Sequence, residues 1–82
     1  MKRVSLSIEE YVAWRDAELM KPDLDSFIAF AKRSNGTVFS TREAAEIAKH
    51  KLRTACTKLP KDMRAASRQW LVERGYESWD YL

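Results

Sequence analysis

The chain has little of what catalysis, cross-linking or tight turning requires: one cysteine, one histidine, two glycines and two prolines in 82 residues. Cys56 alone cannot close an internal disulfide, and a secreted domain this small would carry several cysteines to staple its core, so a reducing cytoplasm is the expected location. Single copies of His50 and Cys56 supply neither a zinc tetrad nor a Cys-His nucleophilic set with a spare member. Cys56 reads instead as a small residue at the edge of a core. No glycine-rich loop is present to cradle a phosphate. Glu9 and Glu10 are consecutive and diverge on a helix, while Asp23 and Asp25 sit beside Pro22 as ordinary helix capping. The chain is therefore expected to be no enzyme and to use no metal or cofactor. No apolar run of signal-peptide length precedes Glu9, and nothing approaches the roughly 18 apolar residues of a membrane span, so no membrane partner is expected.

What is present is a core of ordinary size and a heavily charged surface: 45% apolar, 11% aromatic and 33% charged residues, with a net charge of +3. A chain this short buries only about 60% of its unfolded surface, which leaves room for one domain, spanning residues 1–82, and no deep cavity. Scarce Gly and Pro imply long helices. Ser7 with Glu10 is a capping box that opens a helix at Ile8, on which Ile8, Tyr11, Val12 and Leu19 share a stripe. Pro22 and Asp23 open a second, with Leu24, Phe27, Ile28 and Ala31 on one face, closed by Asn35-Gly36. Thr37-Val38-Phe39 is the candidate for a short extended segment.

Ser40 with Glu43 repeats the capping box, with Phe39 as its hydrophobic staple. From Thr41 the stripe Ala44, Ala48, Leu52, Ala55, Leu59 runs unbroken to Pro60, beyond which Met63, Ala66, Trp70 and Leu71 fall together until Gly75. The reading is an all-α domain of about four helices, near 8–20, 24–34, 41–59 and 61–74, with strand expected nowhere except 2–6 or 37–39. Its predicted core is Ile8, Tyr11, Val12, Leu19, Leu24, Phe27, Ile28, Ala44, Ala48, Leu52, Leu59, Met63, Trp70 and Leu71.

Charge is unevenly spread. Residues 1–35 hold six basic and six acidic side chains, whereas residues 36–74 hold nine basic and four acidic. Between Lys49 and Arg68 the basic set is Lys49, Lys51, Arg53, Lys58, Lys61, Arg64 and Arg68, with Asp62 the one acid. Lys49 and Arg53 are four apart, as are Arg64 and Arg68, and like charges at that spacing cost a helix a few tenths of a kcal/mol. An external polyanion would offset that cost, and DNA or RNA is the commonest. Solvated helix faces would carry the same pattern.

The run Phe39-Ser40-Thr41-Arg42-Glu43-Ala44-Ala45-Glu46-Ile47-Ala48 resembles the first helix of helix-turn-helix DNA-binding domains. With the short segment 37–39 before it, the order is similar to the winged variants of that superfamily, over about residues 24–59. The resemblance implies a second helix that presents Lys51, Arg53, Thr54 and Lys58 to the major groove, with His50 at the turn. The family's turn usually has Gly where this chain has Lys49, and the unbroken apolar stripe through Leu52 and Leu59 argues for one long helix instead. With Arg42 added, the candidate nucleic-acid-binding set is Arg42, Lys49, Lys51, Arg53, Thr54, Lys58, Lys61, Arg64 and Arg68, and reversal of Arg53 and Arg64 should leave the fold intact.

Tyr76, Trp79 and Tyr81 form an aromatic tail that either folds back over the core or anchors a protein partner, a second copy of this chain included. The function that follows is a small nucleic-acid-binding protein, a regulator using residues 49–68. The alternative is an adaptor or inhibitor docking on an acidic protein partner through the basic face or the tail.

Overall fold

Ser7 opens the first helix in the predicted way: its hydroxyl accepts from the Glu10 amide at 3.1 Å, and the Glu10 carboxylate accepts from the Ser7 amide at 3.1 Å. The computed structural model describes residues 7–79, so the segment 2–6 and Tyr81 lie outside the described residues. Four helices follow one another: α1 (Ile8–Leu19), α2 (Leu24–Asn35), α3 (Arg42–Ala55) and α4 (Lys61–Glu73). The domain is all-α, and Thr37-Val38-Phe39 forms no strand.

Each boundary has a local cause. Asp23 caps α2 by accepting from the Asp25 amide, and Gly36, at φ 72°, takes the left-handed turn that ends it. Gly75, at φ 79°, does the same after α4, where the Tyr76 amide returns to the Leu71 carbonyl at 2.9 Å. The cap of α3 is Thr41 rather than Ser40: Thr41 is extended and its hydroxyl accepts from the Ala44 amide at 3.0 Å. Phe39, just before this cap, stacks across on Phe27 at 5.9 Å. Thr41→Ala is expected to cost about 1 kcal/mol in thermal melts and Ser40→Ala almost nothing. Equal effects would overturn the assignment of the cap.

The third helix stops four residues short of the predicted 59. Pro60 disfavours helical geometry at Leu59, so the chain must leave the helix earlier. It does so at Cys56, which is extended and still donates its amide to the Leu52 carbonyl at 3.0 Å. The turn back through the Leu59 amide and the Cys56 carbonyl, 3.1 Å, returns Leu59 to the interior.

The core is a cluster of Leu19, Phe27, Phe30, Cys56 and Leu59, against which Tyr11, Trp14, Leu24, Phe39, Ala48, Leu52 and Met63 pack. Two expectations fail at its edges. Ile8 is 83% exposed, because it begins α1 ahead of Tyr11, the first side chain to reach the cluster. Ala66 is exposed while Ser67 is fully buried, so the inward face of α4 is rotated by one residue. Helix α3 is central and packs against α1, α2 and α4, whereas among the described helices α4 packs against α3 alone.

Candidate nucleic-acid interface

Folding divides the nine predicted contact residues into those it uses internally and those it leaves at the surface. Lys49 is buried, and its Nζ donates to the carbonyls of Lys21, at 2.7 Å, and Asp23, at 3.3 Å. Arg53, one turn later on α3, donates Nε to the Leu19 carbonyl at 2.8 Å and Nη2 to that of Lys21 at 3.0 Å. The last turn of α1 has no basic residue of its own, so these two cations from α3 cap its end and fix the α1–α2 connection. Burial, with Arg53 alongside, pushes the Lys49 ammonium below its ordinary range. Glu18, buried beside this pair, accepts from Lys21 at 3.5 Å through Oε1, and its Oε2 has no partner.

Thr54 and Arg64 are also structural. Thr54 is fully buried; its hydroxyl donates to the Lys51 carbonyl at 2.7 Å and accepts from the Trp79 amide at 2.8 Å. Arg64 donates Nη2 to the Thr54 carbonyl at 2.9 Å, which caps the end of α3 from α4, and its Nε is buried without a partner. Lys49, Arg53, Thr54 and Arg64 therefore do not form the polar face the sequence pattern predicts, and reversing Arg53 and Arg64 would damage the fold.

The remaining five reach the surface to different degrees. Arg42 is exposed and pairs with Asp25, joining the start of α3 to that of α2. Lys51 is half-buried, with Nζ 5.7 Å from the centre of the Trp79 ring. Lys58 and Lys61 are exposed, and Arg68 is half-buried and partnered. The tail folds back: Tyr76 and Trp79 are both half-buried, and Trp79 lines a cleft of about 210 Å³ with Tyr11, Phe27, Phe39 and Leu52. It does not stand out as a docking anchor.

Helix α3 is continuous from Arg42 to Ala55, so His50 lies in its middle and not at a turn. There it makes a contact set that the sequence reading missed. Its Nδ1 lies 2.9 Å from the Ser67 hydroxyl, and its ring stacks on Trp70 at 4.1 Å and 20°. The Arg74 guanidinium lies 4.1 Å from the same indole. Ser67, Trp70 and Arg74 follow an i, i+3, i+7 spacing, the one sequence signal that puts them on a common helix face. Burial, reinforced by Arg53, Lys49 and Arg74, pushes His50 down to about 4, so the ring is neutral at pH 7.

Among the described residues no group of three or more His, Cys, Asp or Glu side chains could hold a metal ion, and no helix is long and apolar enough to cross a membrane. Compared with protein-family models, with curated proteins and with solved structures, the chain has no match.

Proposed function

We propose that the chain is a small non-enzymatic nucleic-acid-binding protein, a regulator, whose contact surface is the outer face of α4 and the turn before it. The observation that carries this reading is the fate of the basic window: Lys49, Arg53 and Arg64 are spent inside, and Lys58 and Lys61 are left exposed at the head of a helix that packs on α3 alone. Arg68 lies two turns beyond Lys61 on the same face, and exposed Ala65 between them is small enough to let a groove wall approach. At 1.5 Å per residue α4 is about 20 Å long, a rod that a B-form major groove, roughly 12 Å wide, accepts. In a helix-turn-helix reading, α3 would be the first helix, residues 56–60 the turn and α4 the second helix.

Anisotropy of a fluorescent duplex over a salt series tests this. With two or three phosphate contacts the plot of log K against log salt should have a slope of about −2 to −3. Lys58→Glu with Lys61→Glu should remove about two units of that slope and leave the fold intact, since both residues are exposed and an acidic residue at position 61 suits the first turn of α4. The control pair Lys32→Glu with Arg33→Glu, exposed at the end of α2, should change the slope little. An equal loss from the control, or no binding at about 50 mM salt, where phosphate contacts are strong, overturns the proposal.

One observation favours a protein-binding adaptor instead. Exposed Ile8 lines a shallow hollow of about 480 Å³ with Val12, Ala13, Glu9, Asp16 and Lys58. Failure of the salt-dependent binding transfers the assignment to that surface.

A further inference from the structure

Helix α4 is attached to the domain differently from the other three. The hydrophobic cluster is built by α1, α2, α3 and the turn at 56–59, and from α4 only Met63 packs against it. What holds α4 is a layer on α3: buried Leu71 and Ser67, the stack of His50 on Trp70, the His50–Ser67 hydrogen bond and the Arg64 bond to Thr54. At its head Pro60 offers no side-chain cap, whereas its end is closed by Gly75 and by Arg74, which donates to the Trp70 carbonyl at 3.1 Å. The five buried residues of the cluster, Leu19, Phe27, Phe30, Cys56 and Leu59, all lie outside α4.

From this arrangement we infer that α4 is an acid-releasable helix, with His50 as the latch that holds it on α3 while neutral and repels it when protonated. The charged groups around the imidazole explain the direction. Lys49 and Arg53 act on it from α3 and Arg74 from the cap that ends α4, while Pro22 and Leu24, from the α1–α2 connection and α2, close the hollow beside it. Glu46, one turn earlier on α3, is the one carboxylate lining that hollow, and three cations outnumber it. A proton on His50 would add a fourth positive charge at a half-buried contact.

The sign follows from linkage. Docked, His50 titrates at about 4, and released it returns to its ordinary 6.5. The released form therefore takes up the proton first: docking is at full strength above about pH 6.5 and weakens as pH falls toward 4. Those two values imply that the ratio of released to docked α4 rises roughly twentyfold between pH 7 and pH 5. Nothing in this inference depends on nucleic-acid binding.

Amide hydrogen exchange followed by NMR, corrected for the intrinsic pH dependence of exchange, tests it on the full chain. Protection factors of α4 amides should fall roughly twentyfold from pH 7 to pH 5, with those of α1 and α2 almost unchanged. His50→Gln, which cannot be protonated and can still meet Ser67, should make α4 insensitive over that range. An equal fall in all four helices, no fall in α4, or an undiminished fall in the variant would overturn the inference. Should the variant not fold, the wild-type chain decides: a selective loss of α4 protection together with an imidazole midpoint well below 6.5 supports the latch, and a midpoint near 6.5 removes it.

Discussion

Arg53→Met is expected to lower stability by about 3 kcal/mol in urea melts, an effect that a side chain on a solvated face would not produce. Two guanidinium hydrogen bonds, to the carbonyls of Leu19 and Lys21, disappear with the substitution. Net contributions of about 1.5–3 kcal/mol apply to hydrogen bonds from charged groups, and stranded acceptors add to the loss. The loss stays below the sum because Lys49 still holds the Lys21 carbonyl at 2.7 Å. Methionine keeps most of the apolar stem, so packing contributes little of the difference. Arg53→Glu should be far worse, since a carboxylate would face carbonyl oxygens. A chain of 82 residues has roughly 4–12 kcal/mol of total stability, and such a reversal would consume much of it. Lys58→Glu, at an exposed site, should stay within about 0.5 kcal/mol of wild type. A melt of Arg53→Met that matched wild type would show that the cap on α1 is dispensable.

The same residue marks the limit of what the sequence discloses. Capping boxes and glycine stops are local, and Ser7, Asp23, Gly36 and Gly75 act where their neighbours in the chain place them. Even Ser40 missed by only one position, because Thr41 offers the same hydroxyl chemistry. The basic window failed for a non-local reason. A cation four residues from another on α3 looks the same in sequence whether it meets solvent or a carbonyl 32 residues earlier, as Arg53 meets that of Lys21. Thr54, offered as a base contact, is likewise settled by Trp79, 25 residues later. Lys58 and Lys61 read correctly as exposed because the turn and first helical position before α4 are surface features in themselves.

Phe30→Ala should destabilise the chain by about 4 kcal/mol. The periodicity reading favours Ile28 over Phe30, since Leu24, Phe27, Ile28 and Ala31 define the stripe. In the structure the buried face is turned toward Phe27, Phe30 and Ala31, and Ile28 is only half-buried. The cause is aromatic contact with α1. Phe30 meets Trp14 edge-on at 4.8 Å, stacks with Tyr11 at 6.2 Å and lies 6.3 Å from Phe27, so one ring joins three others. Such pairs add about 0.5–1.5 kcal/mol each beyond the area they bury, and a cavity at their centre cannot collapse without moving α1. Phe30→Leu should recover about half of the loss by refilling volume without restoring the edge-on contact. Ile28→Ala, at a position with part of its surface already in water, should cost only about 1 kcal/mol. Chemical denaturation of the three variants orders them, and an Ile28→Ala loss equal to that of Phe30→Ala would mean that the stripe read from sequence, and not the aromatic contact, positions α2.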